Sequence, residues 1–309
     1  MTSNRFKSSL ILGAALVVVV AAPVAAQAPM GTRAAGLAGA FVAVADDASG
    51  VYWNPAGLAT GAIFSFLATF AEQDIGRPEG QAIQVEQLAG RMVALSFPPI
   101  GIAYYRLGAF GTERAASAVT GLPSREEVRR GVQALTTDTV GVSLLQSLTE
   151  YMVVGATPKL MRGADRTTLD VDAGLMVAVE RMRFGMVARN LTTPTFGEIE
   201  LSREVRVGGA WGSGWPGHSR VMASIDCDLT LRPMPFGGRR DLAAGVETWW
   251  RDRRLGLRGG VRRSTIGDMR AAVTGGVTYA VRPSVMVEGH VAAGQRDERG
   301  WSVGIRAGF

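Results

Sequence analysis

The chain has 309 residues, 47% of them hydrophobic but only 7% aromatic and 19% charged, with 40 glycines. That excludes a peptide, a small stapled domain and a disordered chain. One cysteine (Cys227) and two histidines (His218 and His290) leave no intrachain disulfide, no cysteine-cluster zinc site and no common Cys/His catalytic pair, while the net charge of +6 is spread among interleaved acids and bases, with no basic run to track nucleic-acid phosphates.

Residues 1–26 read as an export signal. Arg5 and Lys7 form a positive start, residues 10–20 an apolar core, and Val24-Ala25-Ala26 the small residues before a cut. Cleavage is expected after Ala26, because a cut after Ala28 would place Pro29 beside it. The apolar core is shorter than the ~20 residues a spanning helix needs, and no run of ~18 apolar residues follows it. Two classes stay open: a soluble exported β protein and an outer-membrane β-barrel.

Residues 27–61 are rich in glycine and alanine and do not alternate. Asp46 and Asp47 place carboxylates where a short helix is expected to begin. Asn54-Pro55 breaks that helix and opens a turn. Gly36 and Gly39 permit close backbone approach. The segment is too apolar for a free tail and too short for a domain, so it is expected to form a plug inside a barrel. Its marked residues are Asp46, Asp47, Trp53, Asn54, Pro55, Ala56 and Gly57.

Residues 62–309 alternate with period two. At the end, Trp301, Val303, Ile305, Ala307 and Phe309 fall on one face and Ser302, Gly304, Arg306 and Gly308 on the other. A soluble sandwich alternates too, but segments of ten residues or more and a polar face of Gly, Ser, Thr and paired charges favour a transmembrane antiparallel β-barrel. Fourteen strands are expected, over 62–73, 89–98, 101–113, 137–148, 150–162, 167–180, 181–191, 203–213, 219–230, 240–250, 254–264, 269–281, 283–294 and 300–309. Short turns then follow even strands and longer polar loops most odd ones, which assigns the turns to the periplasm and the loops to the outside. In the 114–136 loop, Ser124 and Glu127 form a capping-box pattern that predicts a helix.

Arginine toward lipid costs ~2–4 kcal/mol near the midplane. Arg183, Arg206, Arg254, Arg258, Arg262 and Arg306 are therefore assigned to the lumen, where Asp170, Asp172, Glu247 and Glu288 pair with them. A ligand carboxylate is an alternative partner for the same arginines. His290 shares the inward face with Glu288, and Cys227 faces outward between inward Asp226 and Asp228.

The stretch from Gly36 to Leu58, with its Ala-Asp-Asp-Ala and Trp-Asn-Pro-Ala-Gly-Leu, resembles the N-terminal hatch signature of the FadL-like outer-membrane proteins and is particularly similar to their PorV/PorQ branch. The segments at 245–250 and 255–262 and the last strand ending in Phe309 resemble that branch too. The resemblance implies a fourteen-stranded barrel with an N-terminal plug, carries over Asn54, Pro55 and Ala56 as the hatch motif, and makes Phe309 the terminal aromatic read by the outer-membrane assembly machinery. The chain is short beside fatty-acid channels with long outer loops.

Two functions follow as expectations, both placed in the outer membrane among its lipids. The first is passive transport of a hydrophobic, fatty-acid-like small molecule. The second is a PorV-like component that binds or anchors secreted proteins, for which exposed loop aromatics such as Phe196 and Phe236 would speak. Enzymatic activity, a cofactor, a metal and nucleic acid are not expected: no phosphate-binding loop, zinc-protease, EF-hand or nucleophile-elbow motif occurs.

Overall fold

The computed structural model describes residues 30–74, 83–113, 135–163, 166–196, 199–214, 220–234, 237–266, 269–295 and 297–309. The export signal, the helix expected in 114–136 and Phe236 lie outside the described residues.

Here the long alternating segments close into a cylinder with the apolar face outward. The strands are β1 (Ser65–Asp74), β2 (Ile83–Phe97), β3 (Ile100–Glu113), β4 (Leu135–Ser147), β5 (Met152–Arg162), β6 (Thr167–Val179), β7 (Met182–Arg189), β8 (Thr195–Phe196), β9 (Ile199–Glu200), β10 (Glu204–Gly212), β11 (Val221–Asp228), β12 (Arg232–Met234), β13 (Gly237–Trp250), β14 (Leu255–Ile266), β15 (Ala271–Arg282), β16 (Val285–Gly294) and β17 (Arg299–Gly308). Fourteen of them form the closed antiparallel barrel. The short β8 and β9 make a separate hairpin, and β12 folds back on the start of β13. Strand β1 pairs with β17 from Ser65↔Gly308 to Asp74↔Arg299, so no edge is left.

The alternation sorts side chains as a polar-inside barrel requires: on β17, Ser302 is 1% exposed and Ile305 is 50% exposed. All fourteen expected strands are present, with shifted ends. Strand β2 starts at Ile83 rather than 89, because it continues past a bulge between Val85 and Gln87 to pair with Glu113. Strand β7 stops at Arg189, because Asn190 turns left-handed at φ 53°. Beyond that point β6 has no β7 partner before Ala173. Instead the Leu191 N–H donates to the Val171 carbonyl (3.1 Å) and the Thr192 N–H to the Asp170 carboxylate (3.0 Å). The β4–β5 ladder is also interrupted, between Gly141↔Lys159 and Leu144↔Ala156, where Pro158 has no N–H to give.

Residues 30–58 run inside the barrel and are almost all buried. Small side chains keep this segment thin, and wall glycines make room for it. A Cβ on Gly155 would lie 2.7 Å from the Ala56 nitrogen, on Gly185 2.5 Å from the Val42 oxygen, and on Gly260 2.5 Å from the Leu37 carbonyl carbon. Two apolar clusters tie the segment to the wall. Met30, Val51 and Leu58 pack on Leu67, Met92 and Tyr105. Leu37, Phe41 and Trp53 pack on Ala210 and Met222.

Candidate functional site

The inner segment begins with α1 (Thr32–Gly36) and continues to α2 (Gly50–Trp53) and a 3-10 turn over Pro55–Thr60. The helix expected at Asp46-Asp47 starts instead at Gly50. Asp47 sits before it and accepts from the Ser49 N–H (3.0 Å), so the carboxylate organises the turn that leads into the helix. Asn54 then does two jobs. Its Oδ1 accepts from the Ala56 N–H (3.2 Å), capping the turn that Pro55 opens. Its Nδ2 donates to the carbonyls of Val42 (2.9 Å) and Leu175 (3.1 Å), the second of which belongs to the barrel wall. Ala56 and Gly57 are buried, and a Cβ on Gly57 would lie 2.5 Å from the Ala45 oxygen. Trp53 donates its indole N–H to the Met30 carbonyl (2.7 Å) and stands edge-on to Phe41.

One charge network brings together five of the eleven polar residues expected in the lumen, Arg183, Glu247, Arg258, Glu288 and Arg306. Register sets Glu247 of β13 opposite Arg258 of β14, with 3.5 Å between Oε2 and Nε. Arg258 reaches Glu288 (3.6 Å), and Glu288 reaches Arg306 (3.0 Å). From the inner segment, Arg33 donates to Glu247 through Nε (2.8 Å) and pairs with Asp46, which also receives Arg183 (3.2 Å). Trp249 donates to Glu247 as well (2.8 Å). Burial opposes both charged forms, yet the Asp46 and Glu247 carboxylates hold Arg33 protonated well above its ordinary range. In the same way the Arg33 and Arg183 guanidiniums outweigh burial and hold Asp46 below the usual carboxylate range.

The other expected lumen residues fall into separate groups. Asp170 and Asp172 meet Lys159 (3.1 and 2.8 Å), not an arginine as expected. Arg206 pairs with Asp228 (2.6 Å) and donates to the Gly39 carbonyl (3.1 Å). Arg262 pairs with Glu298 (2.8 Å), and His290 Nδ1 lies 3.0 Å from Ser302 Oγ. Arg254 is not in the lumen. It is exposed in the turn before β14, because Arg251, Asp252 and Arg253 all take left-handed backbone and the strand begins only at Leu255. Phe196 is 3% exposed, against its expected place as an exposed aromatic. Its ring fills the space beside Gly163. Phe309 stacks on Phe64 with ring centres 4.9 Å apart, at the β1–β17 seam.

Several residues that organise the site carry no motif. Arg33, Lys159 and Asp226 were not among the expected site residues, yet each anchors a turn or a strand. Asp226 accepts from the N–H groups of Phe41 (2.8 Å) and Val42 (2.9 Å), pinning the middle of the inner segment to β11. Arg189 lies over the Tyr52 ring at 4.2 Å. Lys159 was readable from strand parity, since it stands on the inward face of 150–162. Among the described residues no three His, Cys, Asp or Glu side chains converge to hold a metal ion.

Between the inner segment and the short-turn end lies a cavity of about 430 Å³, lined by Arg33, Asp46, Arg183, Glu247, Trp249 and Arg306 among others. Its size is in the range of small-molecule sites. Charged side chains dominate its named walls, beside apolar groups such as Met222 and Met286.

The fourteen strands thus close into an antiparallel barrel whose lumen holds the inner segment. No family model matches the chain, and no curated protein matches it in sequence. Among solved structures it is similar to the CymD monoaromatic hydrocarbon channel, with TM-score 0.66 and 12% identity over 91% of this chain and 97% of that one. It is also similar to a Pseudomonas aeruginosa FadL homologue, with TM-score 0.64 and 11% identity over 93% of this chain and 100% of that one. The shared property is the FadL-type barrel fold.

Proposed function

We propose that the protein is an outer-membrane channel for hydrophobic small molecules, exported by residues 1–26 and assembled through its terminal Phe309, with residues 27–61 as the plug of the barrel 62–309. The observation that carries this reading is the inner segment bolted to the wall inside an apolar-faced barrel. The buried inner segment occupies the lumen, so the substrate passes beside it. Two ladders in the wall are interrupted: β4–β5 at Pro158, and β6–β7 before Ala173, where the loop residues Leu191 and Thr192 take the place of a strand. We assign sideways exit to that stretch, the release route that suits a molecule soluble in lipid. The name of the CymD channel, which carries monoaromatic hydrocarbons, supports the substrate class.

The likeness of residues 36–58 to the PorV/PorQ hatch supports a second reading, a component that binds or anchors secreted proteins. Burial of Phe196 removes one of the two loop aromatics that would serve it. Gentle extraction from outer membranes, followed by mass spectrometry of everything that co-purifies, separates the two. A stoichiometric apolar small molecule is the expected result. A stoichiometric secreted protein without such a ligand would replace the first reading by the second.

A further inference from the structure

A row of charge crosses the outer wall of the barrel. Register sets Arg91 of β2 directly opposite Arg106 of β3, Arg106 opposite Asp138 of β4, and Asp138 opposite Arg162 of β5. All four share the outward face with Val93, Tyr104, Val140 and Leu160, which are exposed. Like charges directly opposite each other on neighbouring strands repel, so Arg91 facing Arg106 is unfavourable as it stands. Their neighbours offset part of this, through one long ion pair and one ring contact. Asp138 lies 3.8 Å from Arg106 Nε and accepts the Tyr104 hydroxyl (2.6 Å). Arg91 lies over the Phe70 ring at 5.2 Å. On the β1 side the row is bounded by Glu72 and Asp74, and Asp74 stands opposite Arg299. Beside the row, the outward positions of β6 are apolar from Leu169 on, and across the barrel those of β11 are apolar through Leu229.

We infer that this row binds the phosphates of a membrane lipid headgroup. The inference rests on the reading of the chain as a membrane barrel. A phosphate between Arg91 and Arg106 turns their repulsion into two charge-assisted hydrogen-bonded pairs, for which the planar guanidinium is suited. Arg162 stands two strand spacings beyond Arg106, about 10 Å away, which suits a headgroup with two phosphates. The acyl chains then lie along Val93, Ile102, Val140 and Leu160, beneath the row on the short-turn side. A lipid supplies both halves of this surface, the anion at the level of the arginines and the apolar chains below it. A soluble anion supplies only the first.

The test is native mass spectrometry of the full chain in detergent, given lipid A, dephosphorylated lipid A, or lipid A with excess inorganic phosphate. The expected result is one retained lipid A, not displaced by phosphate, and no retention of the dephosphorylated form. Arg91→Ser with Arg106→Ser lowers retention about tenfold, whereas Arg263→Ser, on the outer face of β14, leaves it unchanged. If the double variant does not fold, Arg162→Ser alone lowers retention. Unchanged retention in the variants, equal retention of the dephosphorylated lipid, or displacement by inorganic phosphate overturns the inference. So does a dimer of wild type that the double variant converts to monomer, since a second copy would then cover the row. A chain that stays out of lipid vesicles overturns the membrane reading as well, and an embedded barrel that ignores lipid A overturns this inference alone.

Discussion

Arg33 and Glu247 are 214 residues apart in the chain, and the guanidinium Nε of one donates to the carboxylate of the other at 2.8 Å. That contact fastens the first helix of the inner segment to β13. It also joins the segment's charges to those of the wall, because Glu247 leads on to Arg258, Glu288 and Arg306.

Glu247→Ala is expected to leave Arg33 and Arg258 buried with too few counter-charges, costing about 3–5 kcal/mol. The loss should appear in denaturant unfolding and as earlier proteolysis of residues 30–61. Unchanged stability would mean that the apolar clusters alone hold the segment.

Acid should act at the same place. The folded pKa of Asp46 is lowered by Arg33 and Arg183. Its stabilising contribution is therefore complete above the ordinary carboxylate pKa of ~3.9 and is lost as pH falls through its own lower value. Protease nicking of the inner segment should be absent near neutral pH and appear only in strong acid. Nicking that sets in near neutrality would point to another group.

The glycine seat makes a steric prediction. Gly260→Ala forces a Cβ against Leu37 and Ala38 and should cost about 1–3 kcal/mol. Gly275→Ala, with nothing within 4 Å of its Cβ, serves as the matched control. Thermal unfolding of the two variants side by side measures the difference, and equal melting would mean that the segment has room to shift.

Asn54→Ala removes donation to the Val42 and Leu175 carbonyls and the cap on Ala56. Leaving those buried groups unmatched costs about 1–3 kcal/mol. On the proposed transport reading, uptake of a hydrophobic small molecule should change while the barrel stays folded. Unchanged uptake in a folded barrel would count against a route beside the segment.

The proposed sideways exit can be tested by closing it chemically. Ser143 Oγ and Thr157 Oγ1 lie 2.7 Å apart across the interrupted β4–β5 ladder. Ser143→Cys with Thr157→Cys should form a disulfide under oxidant, stop uptake, and release it again under reductant. Uptake indifferent to the redox state would move the exit elsewhere.

The barrel is legible in the sequence because lipid-side and lumen-side residues alternate without exception over long stretches, as in Trp301 to Ala307. Strand ends are less legible. Alternation continues through Arg254, but three left-handed residues before it hold it in a turn, and backbone handedness at non-glycine positions leaves no mark in the pattern. Inward direction is likewise readable residue by residue, whereas partnership is not. Asp170 and Asp172 are visibly inward, yet whether they meet arginine or Lys159 depends on the register of β5 against β6. Arg33 could not be found by alternation at all, since it lies in the one segment that lacks it.

The seam between β1 and β17 gives the wall the character of a clasp. Every other join in the barrel lies between strands that follow closely in the chain, whereas this one brings Ser65 to Gly308 and is finished by Phe64 and Phe309 exchanging backbone hydrogen bonds of 3.0 and 3.1 Å. A chain cut before Arg299 would present β1 and β16 as two long bare edges, each a template for any passing strand. Strand β17 thus decides whether the rest is a sealed vessel or an adhesive ribbon.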